Sequence, residues 1–245
     1  MRNSICIASL LLVFTSSAWL SGCRPRDLVS TSQEVQIGQQ ASQEVERQYK
    51  LVTDPALNRL VNSIGQMLVK YSDRQDITYT FKILDVSDVN AFSLPGGWIY
   101  INKGLIDNTA GNIDELAGVI SHEIGHVVAR HHADIIGRQI YANILIGTLT
   151  QGEITQIASI FANLSLLQYS RQQEYAADRL GIKQMFLSKQ YNPQGLINFF
   201  GNLLKIEGNP PSQFEQIFRT HPTTKDRIVA AQEYLNGLLS GTIKP

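Results

Sequence analysis

Two histidines four residues apart, with a glutamate beside the first, constrain this chain more than any other feature: His122-Glu123-Ile124-Gly125-His126. On an α-helix, residues four apart share a face, so both imidazoles reach one metal ion while Glu123 points toward a water bound to it. The pattern therefore asks for a helix here and for a further ligand from elsewhere, because hydrolytic zinc sites use three protein ligands and keep a fourth position for water. The chain holds five histidines, so HExxH arises by chance only rarely. The rest of the sequence has to complete the site.

The flanking sequence supplies that helix. Asn112 with Glu115 three residues on reads as a capping box for a helix over residues 113–130. Upstream, a Gln- and Glu-rich helix is expected over 33–50, and Asp54-Pro55 starts another, with Leu57, Leu60, Val61, Ile64 and Leu68 at helical spacing to about 71. Alternation of Ile77, Tyr79, Phe81 and Ile83 with polar neighbours predicts a strand over 77–84. Asn90, Ala91, Phe92, Ser93 and Leu94, a turn at Pro95-Gly96-Gly97 and then 98–102 read as a hairpin. Residues 135–167 are apolar but broken by Gly147 and by polar residues near 151–156, which fits two helices rather than a bilayer span. Helices are expected over 170–189, 193–206 and 224–239.

Two candidates compete for the third ligand. His132 stands six residues after His126, where the metzincin pattern HExxHxxGxxH ends, but that pattern needs a glycine to turn the chain, and Ala129 occupies the position. On an unbroken helix, at about 100° per residue, His132 swings away from the ligand face. The second candidate is Glu174, on a predicted helix that also carries Asp178 on the same face. Glu174 completes a His-His-Glu set, and Asp178 is placed to accept a hydrogen bond from a ligand imidazole and fix its tautomer. The plainer reading, a solvated acidic face beside Arg171 and Arg179, is disfavoured by the HExxH upstream. His131 reads as a solvated residue at a helix end.

Lysine plus arginine equal aspartate plus glutamate at 21 each, with no basic stripe, so nucleic acid is not an expected partner. The N-terminus reads as a signal segment over 1–22: Arg2, an apolar run from Ile5 to Phe14, then Leu20-Ser21-Gly22-Cys23. Small residues before a cysteine form a lipobox, which predicts acylation of Cys23, a tether over 23–32 and a domain over 33–245. Of the two cysteines, Cys6 lies in the signal and Cys23 at the lipidation point, so the domain stands on its core without disulfides. An acylated cysteine anchors a chain to a bilayer without a transmembrane helix. Arg24, rather than aspartate, after the cysteine favours the outer membrane, facing the periplasm.

Taken together, HExxH, the Glu174/Asp178 helix 48 residues after His126 by numbering, Asn90 to Gly97 upstream, and Thr220-His221-Pro222 with Arg227 downstream resemble the HtpX and CAAX-prenyl-protease family of minigluzincin metallopeptidases, closest to its soluble lipoprotein branch. The resemblance covers about residues 33–245 and implies a mainly helical α+β zincin domain with a small β-sheet whose edge strand borders the active-site cleft. It implies one zinc ion per subunit, held by His122, His126 and Glu174, with Glu123 as general base and Asp178 behind the ligands. It also implies that Asn90, Ala91, Phe92, Ser93 and Leu94 form the edge on which substrate lies, which agrees with the way an exposed edge binds any extended peptide. An ordinary hairpin strand is the plainer alternative. His221 is placed near the metal, where two roles stay open: stabilising the oxyanion, or filling the open metal position and keeping the site latent. For Arg227, support of the site and a structural ion pair are equally open.

The reaction expected is peptide hydrolysis in which Glu123 takes a proton from an activated water and returns one to the leaving amine. By resemblance, the substrates are misfolded or unassembled envelope proteins, with outer-membrane assembly machinery as a partner. The rival reading is a zinc-stabilised envelope chaperone that binds unfolded strands on the same edge and rarely cuts them.

Overall fold

The computed structural model describes residues 24–142, 151–163, 168–222 and 225–245. The signal segment 1–22, Cys23, the break expected near Gly147 and the helix start expected at Thr224 lie outside the described residues.

Ser30 opens α1 (Thr31–Gln48): its hydroxyl accepts from the Gln33 amide while the Gln33 side chain accepts from the Ser30 amide, a complete capping box. Asp54 accepts from the amides of Ala56 and Leu57 and starts α2 (Pro55–Val69), which buries Val61, Ile64 and Leu68 as their spacing predicts. Three strands follow: β1 (Thr80–Leu84), β2 (Ala91–Ser93) and β3 (Trp98–Asn102), in the order β1-β3-β2. The expected hairpin is present as β2 antiparallel to β3, turning at Gly96 and Gly97 with φ of +76° and +105°. β1 pairs parallel to β3 from Thr80 opposite Trp98, so the ladder begins three residues later than the alternation from Ile77 predicts.

Helices cover both faces of the sheet. One face packs on α2 and on α4 (Ile113–Val128), through Phe81, Ile83, Ile99 and Ile101. On the other, Phe92, Leu94 and Tyr100 meet α1 and α6 (Gln151–Ala162). The remaining helices are α3 (Lys103–Asn108), α5 (His131–Ala142), α7 (Arg171–Ser188), α8 (Gln194–Ile206), α9 (Glu215–Thr220) and α10 (Lys225–Ser240). The short α9 has no counterpart in the sequence reading.

α4 and α7 approach closely because glycine stands at their contact. A Cβ on Gly125 would lie 2.6 Å from the Ala177 carbonyl oxygen, and one on Gly181 would lie 2.9 Å from Ser121 Oγ. This approach brings the first turn of α7 against the HExxH face of α4.

The HExxH helix ends sooner than expected. It stops at Val128, and Arg130 takes a left-handed φ of +58° before α5 begins at His131. A break thus occurs without the glycine that the metzincin pattern uses. Side chains around the turn hold it: Arg130 bonds Glu34 and the Val29 carbonyl, Arg74 donates to the Val127 carbonyl at 2.8 Å, and Arg26 to that of Ala129 at 3.1 Å. Arg74 and Glu34 form a buried ion pair beneath it. The described part of the stretch expected as a tether takes part in this packing: residues Pro25–Leu28 form a 3-10 turn against α5, and Val29 is buried. Among the described residues, no helix is long and apolar enough to cross a membrane.

Candidate metal centre

α4 presents His122 and His126 one turn apart, α7 brings Glu174 in its first turn, and the residue closing α9 is His221. All four are buried and offer one donor atom each within 4.8 Å of the others. His122 Nε2 lies 3.0 Å from His126 Nε2 and 3.4 Å from His221 Nδ1. Glu174 Oε1 lies 3.3 Å from His126 Nε2 and 3.2 Å from His221 Nδ1, and its Oε2 is 3.6 Å from His122 Nε2. Ligands bound to zinc at about 2.0–2.1 Å in a tetrahedron stand roughly 3.3–3.4 Å apart. The observed separations bracket that edge length, and imidazole with carboxylate is a donor set zinc accepts, so these residues fit a zinc ion.

Behind the donors, His122 Nδ1 lies 2.9 Å from Asp178 Oδ1. Arg227, 1% exposed, donates from Nε and Nη2 to the two oxygens of Asp178 at 2.9 and 2.7 Å. Its Nη1 lies 2.6 Å from Glu174 Oε2 and donates to the Pro222 carbonyl at 3.0 Å, which ties the His221-Pro222 turn to α7. The guanidinium sits 4.5 Å from the ring centre of Phe200. Burial alone would raise the Glu174 carboxyl, but the His221 and Arg227 charges and the close imidazoles of His126 and His221 outweigh it and hold the group well below the usual carboxylate range. Burial pushes His126 well below the ordinary imidazole value, which keeps its ring neutral, as a metal ligand must be. Burial opposes a charge on His221, yet the carboxylates of Glu174 and Glu123 prevail and raise it.

Glu123 stands beside the donor cluster. Its Oε2 accepts from the Ser93 hydroxyl at 2.9 Å, and its Oε1 lies 3.4 Å from His221 Nε2. β2, which carries Ser93, is an edge of the sheet, where Asn90, Ala91, Phe92, Ser93 and Leu94 are expected to receive substrate. All five are nonetheless buried, and the Ser93 carbonyl is already engaged by His132 Nε2 at 2.9 Å. The Tyr169 hydroxyl lies 3.0 Å from the same nitrogen, and its ring leans on that of His126 with centroids 3.8 Å apart. Both amide atoms of Asn90, buried at the start of β2, lack a hydrogen-bond partner.

His132 is thus not brought to the donor cluster, in agreement with the preference for Glu174. The reason differs from the one the sequence suggests: the helix does break after His126, and His132 is spent on the edge of β2. His131 is not a solvated helix-end residue. It is buried, its Nδ1 lies 3.0 Å from His126 Nδ1, and burial pulls its pKa down to about 4. Tyr169, Ser93 as partner of Glu123, and His131 escape sequence reasoning because each reaches the site through a tertiary turn rather than through spacing.

The cavity next to His122, Glu123 and His221 measures only about 20 Å³ and is walled by Val119, Leu196, Phe199, Phe200 and Leu203. That is room for about one water molecule. A larger groove of about 640 Å³ runs between α1 and α6 past Arg219 and carries none of the donor set.

A model of peptidase family M48 matches residues 55–235, a span that contains every donor named above. The chain is 27% identical over 224 residues to the beta-barrel assembly-enhancing protease of Escherichia coli, covering 85% of this chain and 45% of that protein. It is 27% identical over 214 residues to the mitochondrial metalloendopeptidase OMA1 of Schizosaccharomyces pombe, covering 84% and 62%. With metalloprotease YcaL of Escherichia coli it shares 25% identity over 256 residues, covering 95% and 97%. The chain therefore spans less than half of the beta-barrel assembly-enhancing protease and nearly all of YcaL.

Proposed function

Because the chain belongs to peptidase family M48, a family of zinc metallopeptidases, we propose that it hydrolyses internal peptide bonds of unfolded or unassembled proteins at the His122, His126 and Glu174 centre. The observation that carries this reading is the buried donor cluster at tetrahedral spacing with the Glu123 carboxylate beside it. A zinc ion held there supplies Lewis-acid polarisation of a carbonyl and a lowered pKa for a water. Glu123 is the proton carrier: its Oε1, facing the donor cluster, takes a proton and delivers it to the leaving amine, while the Ser93 hydroxyl fixes Oε2. Arg227 and Asp178 hold Glu174 and His122 in place. β2 aligns an extended substrate beside Glu123 once its edge is freed.

The test is cleavage of an unfolded polypeptide by the purified chain. Activity abolished by a chelator and restored by zinc supports the proposal. Zinc binding with capture of unfolded chains and no cleavage, under conditions that free the site, would favour the rival chaperone reading.

We infer that His221 keeps this conformation latent. His221 Nδ1 stands at the fourth corner of the donor set, the adjoining cavity holds about one water, and the Ser93 carbonyl is occupied. His221→Ala opens the fourth position while three ligands remain. The expected result is retained zinc and a several-fold faster cleavage of small unfolded peptides; a slower rate would assign His221 to oxyanion stabilisation instead, and an equal rate would exclude both roles.

The setting we propose is the bacterial envelope, with Cys23 acylated, residues 23–32 leading from the membrane into the domain, and the site facing the periplasm from the outer membrane. The lipobox before Cys23 and Arg24 after it support this. The name of the Escherichia coli beta-barrel assembly-enhancing protease supports outer-membrane assembly machinery as a partner. Release of the chain into the soluble fraction by Cys23→Ala is the corresponding test.

A further inference from the structure

The two histidines of HExxH are supported in different ways. His122 Nδ1 faces a carboxylate, Asp178 Oδ1, at 2.9 Å, whereas His126 Nδ1 faces another imidazole nitrogen, His131 Nδ1, at 3.0 Å. We propose that His131 is the positioning residue for His126, accepting a hydrogen bond from His126 Nδ1–H and thereby committing His126 Nε2 to the metal. The proposal rests on the metal reading above.

Two nitrogens at hydrogen-bond distance need one proton between them. A proton on His126 Nδ1 leaves Nε2, the atom in the donor cluster, with its lone pair free for a cation. His131 must then be the Nε2–H tautomer, with Nδ1 as acceptor. The opposite assignment, with His131 Nδ1 donating, would put the remaining proton of a neutral His126 on Nε2 and remove it from the donor set. The metal site and the histidine pair are thus compatible with a single tautomer pattern.

The backbone shows what brings the pair together. Along an unbroken helix, residue 131 would be rotated by roughly 140° from residue 126, at about 100° per residue, and could not face it. The left-handed Arg130 reverses the chain so that His131 lies against the end of α4, with ring centroids of His126 and His131 5.0 Å apart. A non-glycine residue in this region carries conformational strain, and here bonds from Arg130, Arg74 and Arg26 hold the turn. A solvated helix end would need none of this. Partners of this kind commonly influence metal affinity by about 10- to 100-fold.

The test is zinc affinity of the purified full chain, measured by competition with a chromophoric chelator, for wild type, His131→Leu and His131→Asn. Asparagine places an amide oxygen near the position of Nδ1 and keeps an acceptor there. We expect His131→Leu to lose about 10- to 100-fold in affinity and His131→Asn to stay close to wild type. Equal affinity in all three, or equal loss in both variants, would overturn the proposal; absence of zinc binding by wild type would instead overturn the metal reading beneath it. Ring ¹⁵N spectra of the zinc-loaded wild type decide the same point without a variant. A proton on His126 Nδ1 and on His131 Nε2 is expected, and a proton on His131 Nδ1 contradicts the proposal.

Discussion

Arg227 closes on Asp178 with two nitrogens, Nε to Oδ2 at 2.9 Å and Nη2 to Oδ1 at 2.7 Å, in a pair that is almost wholly shielded from water. Its third nitrogen, Nη1, reaches Glu174 and the carbonyl that follows His221. One cation therefore balances two buried carboxylates and fixes the positions of a candidate ligand, a candidate tautomer-setting group and the turn that carries His221.

Arg227→Ala leaves Asp178 and Glu174 buried without that cation. Removing one partner of a buried pair costs about 3–5 kcal/mol. Chemical denaturation of the chelator-treated protein is expected to show a loss of this order. Arg227→Lys recovers only part of it, since lysine cannot offer the two-pronged contact.

Gly125 and Gly201 give a matched pair of substitutions. A Cβ at Gly125 meets the Ala177 carbonyl at 2.6 Å, whereas one at Gly201 in α8 meets nothing within 4 Å. Gly125→Ala is expected to destabilise by about 1–3 kcal/mol and to weaken zinc binding, because α7 must back away with Glu174. Gly201→Ala is expected to be neutral or stabilising by up to about 1 kcal/mol. Thermal unfolding with and without zinc checks both.

Acid sensitivity follows from His132. Burial, the largest influence, lowers its pKa to about 3, against an unfolded value near 6.5. Between these values the unfolded chain binds a proton that the folded chain does not, so stability is fully present above about pH 6.5 and falls as pH drops toward 3. The share from His132 alone is on the order of 3 kcal/mol between pH 6.5 and 4. His132→Gln is expected to flatten this part of the stability profile; an unchanged slope would show that His132 does not carry it.

How much of this was legible in the sequence depends on the range over which each feature is encoded. His122, Glu123 and His126 follow from spacing within one helix; Glu174 and Asp178 share a face of another and read as ligand and support only because HExxH stands upstream, while His221 is placed near the metal by the family resemblance alone. Asp54 announces its helix by a side-chain cap, again a local signal. The parallel pairing of β1 with β3 joins strands separated by β2, and periodicity does not encode partner choice. The end of α4 depended on Arg130 adopting a left-handed conformation that several distant arginine contacts hold, and with that turn went the roles of His131 and His132. Tyr169, just ahead of α7, is an ordinary aromatic residue until tertiary packing lays it on His126.

The proposed role of Glu123 is to carry the proton at a zinc centre held by its neighbours. Glu123→Gln keeps the shape and the contact with Ser93 but cannot act as a base. Zinc content and cleavage of an unfolded polypeptide should be measured on the same preparation, beside wild type. Zinc is expected to stay bound as in wild type and cleavage to fall by at least about 100-fold, the lower end of what a positioned general base contributes. Cleavage at the wild-type rate would contradict that role.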